Sequence, residues 1–234
     1  MGMVDAPRVD GLDERDRREV RMLVSQLVDQ VPRDLLPADA NLQDGVDLVW
    51  RHPQVLAELA ELFAVLDDQV DHIHERLPAR PDVPLLVHAR YTRLEILSAF
   101  GHGSGTRVSS WQSGVMWLPD EQADLFAVTF DKTGSGFSPT TRYRDYAISP
   151  ELFHWESQAA TRADSSTGQR YQQHEQLGSD VLIFARMDVN DRAFWCLGPA
   201  VYVEHDGERP MAITWRLRYP LPGDLFTQFA AAVA

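Results

Sequence analysis

The sequence predicts an α+β protein, in which an N-terminal helical segment precedes a small, mixed, mostly antiparallel β-barrel with inserted helices. Two observations carry the prediction. Before about residue 80, apolar residues recur at three- and four-residue steps, the period of a helix face. After about residue 110 the pattern changes to short β-type runs with turn residues between them, and helical stretches fall singly among the runs. That spacing suits a partly closed barrel better than a parallel sheet with regular crossover helices. The boundary is set at about residue 80, giving a helical segment over 1–80 and the barrel over 81–234.

Taken in order, Leu12 to Val31 reads as a helix on Val20, Leu23, Val24, Leu27 and Val31, stopped by Pro32. A polar loop is expected over Pro37 to Asp47. A second helix runs from Pro53 to Leu77, with Leu56, Leu59, Leu62, Phe63, Leu66, Val70 and Ile73 on its apolar face. Pro78, Pro81 and Pro84 close the segment. Val83 to His88 is a short strand. Tyr91 to Phe100 is a helix, with Thr92 and Glu95 spaced as a capping box. GHGSGTRVSS follows as a flexible segment. Ser110–Leu118 and Ala123–Phe130 are strands, and Asp131 to Gly136 is a turn. Ser165, Ser166 and Thr167 offer N-caps for a helix reaching about Leu177. Val181–Met187, Phe194–Glu204 and Met211–Tyr219 are strands, and Asp224 to Val233 is a final helix or a frayed tail.

Composition narrows the function. With 234 residues, 44% of them hydrophobic, the chain can bury a sizeable core. No apolar run reaches membrane-spanning length and the N-terminus has no signal-peptide core. Cys196 is the only cysteine, which excludes a disulfide framework and speaks against a Cys-based zinc site. These features fit a cytoplasmic protein. The net charge of −13 opposes nonspecific affinity for nucleic acid. The charge is uneven, however: residues 1–80 hold 17 acids and 9 bases, while 132–146 hold Lys132, Arg142 and Arg144 against Asp145 alone. Binding to DNA therefore has to come from a specific pocket.

The chemically richest stretch is FSPTTRYRDYAISPELFHWESQ, Phe137 to Gln158. It holds Phe137, Tyr143, Tyr146, Phe153 and Trp155, where the chain average of 9% aromatic gives about two. Arg, Asp, His, Glu and Gln are threaded between the rings instead of the aliphatic residues of an ordinary core strand. Aromatic faces mixed with Arg and amide groups suit a nucleobase and its phosphates. Trp155, among His154, Glu156, Ser157 and Gln158, fits a pocket wall or the core equally. Trp111, Trp117, Trp195 and Trp215 lie on strand-like runs and are assigned to the core.

Rival constellations fail on spacing. GHGSG lacks the glycines that a nucleophile elbow needs around Ser104, and no phosphate-loop pattern is present. It stays as a loop able to contact DNA. His72 and His74 diverge by about 200° on a helix, so no metal site is expected. Asp145, Glu151 and Glu156 lack the nearby Lys of a carboxylate nuclease, and turn capping suits Asp145 better. No catalytic residue and no cofactor is assigned. STGQRY, Ser166 to Tyr171, opens a helix with an Arg in its first turn, which suits an anion or simple capping.

The run from Asp82 to Pro222 resembles a known family. DVPLLVHARYTRLEILSAFG, GVMWLPDEQADLFAVTFDK, the aromatic stretch, TGQRY, LGPAVYVEHDGERPMAITWRL and YPLP occur in order over well more than half of the chain. They look like the helicase-associated domain of unknown function at the C-terminus of bacterial superfamily-two helicases, many of which carry a phospholipase-D-type nuclease. The resemblance implies a barrel similar to the SRA and PUA-like modified-base binders, and recognition of modified DNA, modified cytosine above all, in restriction. Helicase and nuclease motifs do not occur in this sequence, so the chain is expected to read DNA and not to cut it.

On this basis a base extruded from the duplex stacks on Tyr143, Tyr146 and Trp155. Asp145, His154 or Gln158 bonds its Watson–Crick edge. Arg142, Arg144 and Arg170 hold flanking phosphates with help from Thr140 and Thr141, and Tyr171 completes the set. The partner is double-stranded DNA carrying a modification. The alternative is a protein-interaction adaptor of a defence complex that recruits a separately encoded helicase or nuclease through the acidic N-terminal helices. Apart from that, the same helices are assigned to packing on the main domain or to forming a homodimer. A nuclease using Asp145 and Glu156 is a third option.

Overall fold

The computed structural model describes residues 5–67, 74–107, 111–130 and 145–231. Its chain divides into two compact units, Met1–Leu86 with Tyr91–Trp111, and Val87–Arg90 with Gln112–Ala234. The expected boundary near residue 80 differs from this division, because the helix after it belongs with the N-terminal helices.

The first unit is helical. Helix α1 (Glu14–Val28) starts at Asp13, whose side chain accepts from the Asp16 amide. Helix α2 (Leu42–Trp50) starts at an Asn41–Asp44 capping box and occupies part of the expected polar loop. Gly45 makes the α1–α2 approach possible: a Cβ there would sit 2.5 Å from Val24 Cγ1 and 2.9 Å from Thr106 Cγ2. Val24, Val28, Leu36, Leu42, Val46 and Val49 form this unit's core. Helix α3 (Pro53–Asp67) begins where expected. It does not extend to Leu77, since Glu75–Arg76 form strand β1. Strands β2 (Leu86–Val87) and β3 (Arg90–Thr92) lie at the crossings between units. Helix α4 (Arg93–Ala99) carries the expected Thr92–Glu95 capping box. It packs on α1 through a 2.6 Å bond between the Ser25 and Ser98 hydroxyls, both buried. Arg18 on α1 also donates to the Ala99 carbonyl. Arg107 donates to the Val28 and Val31 carbonyls at the C-terminal end of α1, satisfying groups that a helix end leaves open.

The second unit is a sheet with helices. Its strands are β4 (Val115–Leu118), β5 (Ala123–Thr129), β6 (Tyr146–Ala147), β7 (Leu152–Glu156), β8 (Asp180–Arg186), β9 (Ala193–Asp206) and β10 (Ala212–Leu217). They run in the order β4-β5-β8-β9-β10-β7-β6. All pairs along it are antiparallel except β5 with β8. His88 and Ala89 add to β9 through Cys196. The mixed, mostly antiparallel α+β class is thus observed. The strand path is open, because β4 and β6 stand at opposite ends and are not paired, so the described residues form no closed barrel. Helices α5 (Ser166–Leu177) and α6 (Gly223–Ala231) supply Tyr171, Leu225 and Phe229 to a core that also holds Phe126, Phe153, Trp155, Ile213 and Trp215. Ser165 caps α5 as expected. Among the described residues no helix is long and apolar enough to cross a membrane.

Candidate nucleic-acid interface

Strand β7 divides the aromatic stretch by strict alternation. Phe153 and Trp155 are buried, whereas Leu152, His154 and Glu156 are half-buried on the other face. Successive strand residues point to opposite faces, so this part is an ordinary core strand built from aromatic residues, contrary to expectation. Trp155 lies in the core, stacked on Phe126 at 4.2 Å between centroids. Tyr171 is 2% exposed, edge-on to Phe126 and Trp155, and burial raises its hydroxyl well above the ordinary tyrosine value.

The outer face carries a different pair. Tyr146 on β6 lies directly opposite His154 on β7. Their rings stack with centroids 4.7 Å apart and planes 15° apart, and both residues are half-buried. His154 in turn faces Thr214 of β10, which faces Glu204 of β9. Because directly paired residues share a face, Tyr146, His154, Thr214 and Glu204 form a row across four strands. Tyr146 lies on β6, the last strand of the path among the described residues, and Glu204 puts negative charge at the other end of the row.

The remaining expected residues are distributed as follows. Asp145 is buried, and its carboxylate accepts from the Glu156 amide at 3.0 Å, fixing the β6–β7 end. Gln158 is exposed in the turn beyond β7, where its carbonyl accepts from Thr161. Arg170 donates from Nε and Nη2 to both oxygens of Asp124, at 2.6 and 2.9 Å, and lies 4.2 Å over the Trp117 ring. Its fork therefore serves a buried carboxylate of β5. The N-terminal end of α5 is packed by its own chain, because a Cβ on Gly168 would fall 2.1 Å from the Arg162 carbonyl. Thr140, Thr141, Arg142, Tyr143 and Arg144 lie outside the described residues.

Burial raises the Asp124 carboxyl above the ordinary carboxylate range, with the Arg170 hydrogen bonds opposing it, while that same pairing raises Arg170. Asp124 and Trp117 went unnoticed as partners of Arg170, although a lone acid inside ADLFAVT already demanded a buried cation. Thr214 was missed because only register brings it beside His154. No group of three or more His, Cys, Asp or Glu among the described residues is placed to hold a metal ion.

Comparison with known proteins gives three results. No curated protein matches the chain. Among solved structures, KRYPTONITE in complex with mCHH DNA, an H3(1–15) peptide and SAH superposes with a TM-score of 0.43 at 13% identity, over 91% of this chain and 44% of that one. Arabidopsis thaliana SUVH6 in complex with SAM gives 0.38 at 10% identity, over 90% and 39%. The chain thus spans less than half the length of either. Residues 85–229 match the model of the domain of unknown function DUF3427, and because this is more than half of the chain, the protein belongs to that family.

Proposed function

We propose that the protein is a DNA-binding module that reads modified DNA for a restriction or defence system, with the cutting done by a separate effector. The observation that carries this is the Tyr146–His154 stack on the outer face of β6–β7. A half-buried ring pair on the outer face of the sheet offers a platform for a nucleobase, and base–aromatic stacking contributes about 1–3 kcal/mol per base. Arg142 and Arg144 immediately precede it in the chain and supply positive charge for the neighbouring phosphates. The ligand-facing set is thereby reduced from the expected one. Trp155 and Tyr171 act as core, and Tyr146 and His154 act on the base.

The test is a binding screen of the chain against duplexes with different base and backbone modifications at moderate salt. One modified duplex is expected to bind well above the plain one. Tyr146→Ala should weaken that binding by about 1–3 kcal/mol, the worth of one stacked base. Equal, weak binding of every duplex would refute the proposal, as would unchanged affinity in Tyr146→Ala. Incubation of modified duplex with the chain and magnesium is expected to leave it uncut.

A further inference from the structure

Helix α3 buries none of its fifteen residues, although ten of them are Val, Leu, Ala or Phe. Among the described residues, Leu56 packs on the helical core, near the first turn. Val55, Leu62, Phe63, Val65 and Leu66 are 40%, 49%, 50%, 55% and 49% exposed. A lone helix of about this length is marginal in water, and one that is apolar around most of its circumference is normally buried. Beside its first turn is an apolar groove of about 190 Å³, lined among others by Leu27, Val31, Leu35, Leu48, His52 and Val55. Leu35 on its rim is 61% exposed. Val55 belongs to both features, so helix and groove form one continuous patch within the helical unit.

We propose that this patch is a homotypic docking surface: a second copy of the chain covers it, with α3 of each copy seated against the groove of the other. Two features favour a second copy as occupant. The patch is self-complementary, with protruding Leu62, Phe63 and Leu66 beside an unfilled apolar groove, as a two-fold interface requires. The area also suffices for a reversible dimer. At about 150–200 Å² for a fully exposed large apolar residue, the lower part of the range for aromatic side chains, Leu35 and the five α3 residues present roughly 450–600 Å², in the upper part of what a monomer normally leaves open. Two copies bury at most roughly 900–1,200 Å², the size of a weak interface reaching the lower end of the specific ones. The α3 segment carries Glu58, Glu61 and Asp67 and no base, so docking is opposed by like charge and strengthened by salt.

The test is mass by light scattering over micromolar to high-micromolar concentration. The wild-type chain is expected to rise from 26.5 kDa toward twice that value, more readily at higher salt. Leu62→Glu combined with Phe63→Glu, and separately Leu35→Arg, should each hold the mass at 26.5 kDa with an unchanged circular dichroism spectrum. Mixing Phe63→Cys and Leu35→Cys copies under oxidation should give a mixed disulfide, since Cys196 is buried and does not compete. A wild-type chain that stays at 26.5 kDa throughout overturns the proposal and leaves a foreign helix as the occupant. A dimer unaffected by all three substitutions overturns it as well.

Discussion

Replacing Arg170 by Met should destabilise the protein strongly, and by an amount that depends on pH. Asp124 is 0% exposed and, among the described residues, its ion-pair partner is Arg170, itself 19% exposed. Removing one member of such a pair leaves a buried charge, a loss of about 3–5 kcal/mol. The pH sign follows from the direction of the Asp124 shift, which burial sets upward. Between its unfolded and folded values the native state binds more protons than the unfolded one. The stability this group contributes is therefore present below the unfolded value and declines as pH rises through the folded one. Arg170 opposes the rise, so its removal moves the folded value further up. In the variant, Asp124 can escape the unpaired charge by taking a proton, which is easier in acid. Urea denaturation followed by tryptophan fluorescence should show a loss of about 3–5 kcal/mol near pH 8 and a clearly smaller one near pH 5. An equal loss at both pH values, or one below about 1 kcal/mol as for a surface pair, would refute the reasoning. Asp124→Asn combined with Arg170→Met should recover much of the loss.

Three further outcomes are expected. Gly168→Ala should destabilise by about 1–3 kcal/mol or more through overpacking, since the added carbon falls 2.1 Å from the Arg162 carbonyl; an unchanged denaturation midpoint would contradict this. Trp155→Ala should cost about 3–5 kcal/mol as a cavity in the core, whereas Tyr146→Ala, half-buried on the outer face, should cost under about 1 kcal/mol, so that denaturation separates the core ring from the outer one. Cys196 is buried and its thiol is pushed up to about 12, so the native chain should not react with a thiol reagent at mildly alkaline pH and should react after unfolding.

Much of the order of elements was legible because it is written in local signals. The Thr92–Glu95 cap, the Ser165 cap and the strands around Phe126, Ile183 and Ile213 depend on spacing within a few residues. Helix α2 was not legible. Its nine residues include Gly45 and two Asp, which read as loop, and the reason for glycine is the contact with Val24 and Thr106, distant in sequence. Strand β7 was misjudged because its alternation is carried by Phe153 and Trp155 with His154 between them, and residue type concealed the period of two. The open path of the described strands was equally hidden, since no local pattern states which strand comes last in it.

The same distinction applies to the candidate interface. The sequence by itself determined that Phe137 to Gln158 concentrates aromatic and charged groups on an acidic chain that holds one cysteine. It also determined the resemblance that points to DNA. Only the tertiary structure decided which rings meet water. Burial depends on strand register and on what covers each face, so Trp155 stacks on Phe126 in the core, while Tyr146 meets His154 across the β6–β7 ladder. Arg170 was fixed in the same way. A buried carboxylate 46 positions earlier in the chain claims its fork, because an unpaired charge at that depth costs more than any contact with solvent or phosphate returns.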